Sequence, residues 1–142
     1  MKKAIVIGAT SGIGLEVARL LAQQGYMVGI AGRRAERLVE IAKSTANITA
    51  YRQIDITDAS ATKLLHELIA ELGGMDLYFH SSGIGWENCE LDIDREMKTV
   101  ETNGVGFTRM VTAAYRWFAD NNRGGQIACI TSIARTRGLG AA

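Results

Sequence analysis

The sequence predicts a doubly wound α/β fold, a parallel sheet covered by helices on both faces. Three observations predict it. Apolar strand-like runs alternate strictly with helix-like runs, in five β-then-α units. A turn with glycines at 8, 12 and 14 joins the first run to the first helical pattern. Glycines punctuate the helical patterns at Gly25, Gly73-Gly74 and Gly124-Gly125. Right-handed crossovers then make 3-2-1-4-5 the expected strand order.

The elements follow in order. Lys3–Ile7 reads as a first strand, with the β-branched run Ile5-Val6-Ile7. Ile13–Gln24 is an amphipathic helix that Gly25 ends as a C′ glycine. Tyr26–Ala31 is a second strand. Ala35–Ser44 is a helix with Leu38, Ile41 and Ala42 on one face. Ile48–Gln53 is a third strand. Asp58 or Thr57 caps a helix running through Leu64, Leu65, Leu68, Ile69 and Leu72. Leu77–Ser81 is a fourth strand, and residues 83–94 form a loop. One long helix is expected from about Asp94 to Asp120, and Gln126–Thr131 is a fifth strand.

Composition narrows the classes. The chain has 142 residues, one domain's worth, with net charge +1 and both signs dispersed. Neither a nucleic-acid nor a membrane-surface footprint is expected. Met1-Lys2-Lys3 precedes an apolar run that Gly8 breaks too early for a signal peptide. No apolar stretch approaches the roughly 18 residues of a membrane span. Cys89 and Cys129 have no metal or disulfide spacing, so no metal site and a cytoplasmic location are expected. Proline is absent, where average usage of about 5% would give about seven.

Strand, glycine turn and helix in succession let a backbone approach a pyrophosphate and offer it a helix N-terminus. An ordinary tight βα turn is the competing reading, but three glycines in one turn cost backbone entropy without a reason. The spacing is G-x-x-x-G-x-G, from Gly8 through Gly12 to Gly14. In this the chain resembles the short-chain dehydrogenase/reductase family, and further blocks of that family appear in order along its whole length. Asp55 ends the third strand, where the resemblance implies an acid that caps the adenine ring. Ser81-Ser82-Gly83 stands where the family carries Asn-Ala-Gly. Asn103-Gly104-Val105-Gly106 matches its Asn-x-x-Gly block, and Ile130-Thr131-Ser132 its catalytic-serine block.

The resemblance implies a Rossmann-type domain over residues 1–142, incomplete at its C-terminus. It implies cofactor contacts at Gly8, Thr10, Ser11, Gly12, Ile13, Gly14, Asp55, Ile56, Ser82 and Gly83. Two departures stand out. Ile7 occupies a position usually held by Thr, and Ser81 is shorter than the Asn it replaces, so the tie between the fourth strand and the glycine turn is expected to differ.

Cofactor type is legible at the end of the second strand. Members that prefer NAD place there an acid for the ribose 2′-hydroxyl. This chain has Gly32, then Arg33 and Arg34. Two guanidinium groups without a carboxylate suit a 2′-phosphate, so NADP(H) is expected over NAD(H). The alternative is a pair of solvated arginines at a helix start, where the dipole gives a cation no advantage.

The family's chemistry uses Asn, Ser, Tyr and Lys, and Asn103 and Ser132 match the first two. Each has an ordinary alternative, a polar residue on a helix face and a strand-end serine. Tyr-x-x-x-Lys is absent: four residues after Tyr26, Tyr51, Tyr78 and Tyr115 stand Ile30, Asp55, Ser82 and Ala119. The segment Arg137–Ala142 resembles the family's approach to that tyrosine, so the expectation is a chain ended early. Three readings follow: an NADP-dependent oxidoreductase of a small carbonyl or alcohol seen without its acid, a non-catalytic NADP(H)-binding module, or a fragment without one structure.

His66 is expected on a solvated helix face, and His80 at a strand end near the cofactor. Tyr115, Trp117 and Phe118 are expected as core or subunit contacts, exposed with the edge of the fifth strand in a truncated chain. A homo-oligomer would hide those surfaces.

Overall fold

The computed structural model describes residues 1–132 and Thr136. Its strands are β1 (Lys3–Ile7), β2 (Met27–Gly32), β3 (Ile48–Gln53), β4 (Leu77–His80) and β5 (Gln126–Cys129). They hydrogen-bond in the order β3-β2-β1-β4-β5, every pair parallel. This is the expected Rossmann-type order.

The strands are apolar almost throughout because both faces are covered. Alternate residues of β1 enter opposite cores. Val6 joins Val28, Ile30 and Ile48 against helix α1 (Gly12–Gln23) and helix α2 (Ala35–Ser44). Ile5 and Ile7 join Ala31, Ala50 and Tyr78 against helix α3 (Ala61–Leu72) and helix α5 (Phe107–Asp120). Ile5, Val6 and Ile7 are all fully buried. Each such side chain stabilises the fold by about 1.5–3 kcal/mol relative to exposure.

At the N-terminal edge of the sheet, Asp76 accepts from the Lys3 amide at 2.8 Å and from Arg123 at 2.6 Å. Burial raises the Asp76 carboxyl, but these two donors outweigh it and hold the group below the usual carboxylate range.

Several boundaries differ from the expectation. Helix α3 takes Ser60 as its N-cap. Asp58 stands two residues earlier and accepts from the Ser60 amide at 2.8 Å, so it shapes the turn into the helix without capping it. Strand β5 ends at Cys129, because its partner β4 ends at His80 and the two are in register there. One further bond, from the Ile130 amide to the His80 carbonyl, extends the ladder.

The long helix is not uniform. Helix α4 (Ile93–Val100) leads into a π-helical segment at Glu101–Gly106 and then into α5. That segment lies where Gly106 presses against Ile56: a Cβ there would come within 2.7 Å of the Ile56 side chain. Phe118, expected among exposed residues, is buried at 8% exposure, and Trp117 is half-buried with its ring edge-on to it. Tyr115 alone of the three stands out, at 68%. The segment Arg137–Ala142 lies outside the described residues.

Candidate functional site

The glycine turn bridges β1 and α1 at the C-terminal edge of the sheet, where ligands of open α/β sheets bind. Gly8 and Gly12 have φ of +83° and +59°, backbone that side chains with a Cβ rarely adopt. Gly14 is needed for space, because a Cβ there would overlap the Gly8 carbonyl oxygen. At Gly12, by contrast, nothing lies within 4 Å of where a Cβ would be. The turn is packed on its inner side and open on its outer side.

Helix α1 begins at this open side without a cap. Ser11 occupies the N-cap position but its side chain makes no capping bond, and the first turn holds no acid. The backbone N–H groups there lack the intrahelical partners of later residues, and the helix dipole favours an anion beside them. Ile13, at 57% exposure, borders this N-terminus.

Strand β2 anchors the turn. The Gly8 and Ala9 amides both donate to the Ala31 carbonyl, at 2.9 and 3.0 Å. Thr10, 8% exposed, lies against Gly32, where a Cβ would come within 2.6 Å of the Thr10 methyl. The paired arginines divide here. Arg34, though exposed, donates to the Thr10 hydroxyl at 3.0 Å. Arg33 is exposed, and its guanidinium makes no hydrogen bond or ion pair among the described residues. Its backbone carbonyl accepts from Gln53 at 3.0 Å, which fixes the base of the side chain.

The loop after β3 continues the rim. The Ile54 amide donates to the Gly32 carbonyl at 2.9 Å. Asp55 is exposed, and one carboxylate oxygen accepts from both the amide and the hydroxyl of Thr57, at 2.9 and 2.7 Å. Ile56 is buried, and Arg109 of α5 donates to its carbonyl at 2.6 Å.

Beyond β4, the Ser81 amide donates to the Ile7 carbonyl at 2.9 Å, so main chain joins this strand end to β1. Gly8 packs on the Ser81–Ser82 peptide: a Cβ on Gly8 would lie 2.8 Å from the Ser82 nitrogen. Asn103, in the π-helical segment, clasps the following loop with both ends of its amide. The Ile84 amide donates to its Oδ1 at 2.9 Å, and its Nδ2 donates to the Ile84 carbonyl at 2.6 Å. Gly83 lies beside the same Oδ1. Ser132 is exposed, past the end of β5 on this edge.

His80 does not reach the open side. It is buried at 3% exposure between β4 and α5, with Nδ1 2.9 Å from the Tyr78 hydroxyl and its ring edge-on to Phe107. Burial pushes the imidazole below its ordinary pKa and the Tyr78 hydroxyl well above its own. His80 thus ends its strand near the site, as expected, with its ring in the interior. His66 is on an exposed face, as expected.

The structure thus brings Gly8–Gly14, Arg33, Asp55, Ile56, Ser82, Gly83 and Asn103 to one edge of the sheet. Sequence reading did not single out Arg37, which donates to the Thr10 carbonyl, or Arg109. Arg37 was findable, one helical turn beyond Arg34. Arg109 was not, because its partner lies 53 residues away. A groove of about 500 Å³, bordered by Tyr115, Phe118 and Ile127, lies at the opposite edge, where α5 ends and β5 begins.

Comparison with known proteins agrees with this geometry. The short chain dehydrogenase family profile matches residues 2–141. An uncharacterized oxidoreductase of Myxococcus xanthus is 32% identical over 144 residues, covering 97% of this chain and 56% of the relative. An NADP-dependent 3-hydroxy acid dehydrogenase of Shigella flexneri is 30% identical over 124 residues, covering 84% and 50%. The crystal structure of an actinorhodin polyketide ketoreductase variant with NADPH superposes with a TM-score of 0.88 at 29% identity, covering 99% of this chain and 57% of that one. The closed form of a serine dehydrogenase complexed with NADP+ gives 0.85 at 26%, covering 96% and 56%. The chain spans about half the length of the curated relatives it matches. The chain belongs to the short chain dehydrogenase family.

Proposed function

We propose that this chain is the nucleotide-binding part of an oxidoreductase that uses NADP(H) in preference to NAD(H). The observation that carries the reading is the open outer face of the glycine turn, with an Arg33 guanidinium at the adjoining strand end that has no partner among the described residues. A dinucleotide fits these residues. The bare backbone at Gly12 and the uncapped start of α1 suit a pyrophosphate. Arg33 suits a 2′-phosphate, and no carboxylate stands at Gly32 to repel it. Thr10, Ser11, Ile13 and Gly14 complete the pyrophosphate turn. Asp55 and Ile56 border the adenine side, and Ser82 and Gly83 the nicotinamide side. The NADP-dependent relative and the neighbours solved with NADPH and NADP+ support the same cofactor.

When bound, a reduced nicotinamide supplies hydride for a small carbonyl, and the oxidised form accepts hydride from an alcohol. On this reading Ser132 would hydrogen-bond the reacting oxygen, and Asn103 fixes the loop beside it through its two bonds to Ile84. No tyrosine in these 142 residues is followed by lysine four positions on. We therefore expect the 142-residue polypeptide alone to bind nucleotide without turning over substrate; loss of a general acid removes about 10²–10⁴-fold in rate.

The test is a pair of fluorescence titrations, NADPH and NADH, on this chain and on Arg33→Ala. NADPH should bind more tightly than NADH. Arg33→Ala should weaken NADPH by about 1.5–3 kcal/mol, the scale of a charged hydrogen bond, and leave NADH unchanged. Equal affinities in the unaltered chain would refute the preference. Steady carbonyl reduction by the mass-verified chain would refute the expectation of inactivity.

A further inference from the structure

The β2–α2 junction does two things at once, and they belong to different arginines. Thr10 lies in the bend of the glycine turn, and its hydroxyl and its carbonyl are both held from this junction. Arg34 donates to its hydroxyl at 3.0 Å, and the Arg37 Nε–H donates to its carbonyl at 3.3 Å. Its methyl lies against Gly32, where no Cβ would fit. Thr10 thus sits in a socket made of Gly32, Arg34 and Arg37. Arg37 is held in turn: its Nη1 pairs with Glu40 one helical turn on, at 3.2 Å.

We infer that Arg37 is a positioning residue for the pyrophosphate turn, acting through the Thr10 carbonyl, and that it takes no part in reading the 2′-phosphate. The inference rests on the nucleotide-binding reading above. Its physical basis is the orientation of one peptide. A carbonyl accepting from a guanidinium is fixed in direction, and the Ser11 amide, in the same planar peptide, is oriented with it. Gly12 has φ +59°, and nothing lies within 4 Å of where its Cβ would be. Without Arg37 the turn keeps its glycines but loses the bond that fixes their aim. Arg33 bears no such load, and Arg37 is committed to Thr10 and Glu40. Loss of Arg37 should therefore weaken every ligand that carries the pyrophosphate, whatever its 2′ substituent.

Two fragments separate the roles. ADP carries a diphosphate without a 2′-phosphate, and 2′-AMP carries a 2′-phosphate without a diphosphate. Their dissociation constants should be measured by calorimetry on the 142-residue chain and on Arg33→Ala, Arg37→Met and Arg37→Lys. Arg37→Met keeps the apolar stem and removes the donor. It should weaken ADP on the order of tenfold, the scale of one charged hydrogen bond, and leave 2′-AMP unchanged. Arg33→Ala should do the reverse. Arg37→Lys restores a cationic donor and should recover most of the ADP affinity. It should do so while NADPH and NADH shift by one common factor across the Arg37 series. A loss of 2′-AMP affinity in Arg37→Met would make Arg37 a phosphate reader and overturn the inference. ADP affinity unchanged in Arg37→Met, or not recovered in Arg37→Lys, would also overturn it. Failure of the unaltered chain to bind either fragment would overturn the nucleotide-binding reading itself.

Discussion

His80 shows what a single side chain reveals only when placed. From the sequence it is a polar residue at a strand end near the site. In the fold it is buried, bonded to Tyr78, with no partner for Nε2 among the described residues. Burial lowers its pKa, so the unfolded chain binds its proton more readily than the folded one. The sign follows directly. Stability is full above the unfolded value of about 6.5 and falls as pH drops below it, toward the lower folded pKa. Urea midpoints measured between pH 8 and pH 5 should decline through that window. His80→Gln should flatten the decline, and an unchanged slope would refute the assignment to His80. The arginines were partly legible in the same way. Their identity at the strand end pointed to a phosphate, but only the fold shows that Arg33 faces outward while Arg34 turns to Thr10.

Elements were more legible than side-chain partners. Alternating apolar runs and glycine stops located every strand, because both faces of a parallel sheet demand apolar residues and each crossover needs a stop. The turn glycines were legible because each meets a local constraint of its own. Gly14→Ala tests this. Its Cβ would overlap the Gly8 carbonyl, so the variant should lose about 1–3 kcal/mol in urea denaturation and should not bind NADPH. Unchanged stability would mean that the turn adjusts freely. The π-helical segment was not legible. Its residues Gly106 and Asn103 contact Ile56 and Ile84, distant in sequence, which no helical periodicity records. Asn103→Ala removes both bonds to Ile84 and should destabilise by about 1 kcal/mol, read from the same curves.

At the scale of the whole molecule, two features favour self-association. Strand β5 pairs only with β4 among the described residues. Helix α4 exposes Ile93, Met97 and Val100 at helical spacing and buries none of its residues. We expect a dimer or larger assembly in sedimentation velocity across a concentration series; a monomer throughout would refute it. The sheet with helices on both faces was readable in advance from strand alternation and crossover hand, and 3-2-1-4-5 is one of the common orders those rules allow. The proposed nucleotide site lies at one edge of the sheet, the C-terminal ends of the strands. An amide-resolved NMR titration with NADPH tests it most directly. Shifts should concentrate at residues 8–14, 32–34, 55–56 and 82–83, along the C-terminal edge of the strands. Shifts confined instead to the groove at Tyr115, Phe118 and Ile127, or no shifts at saturating NADPH, would contradict it.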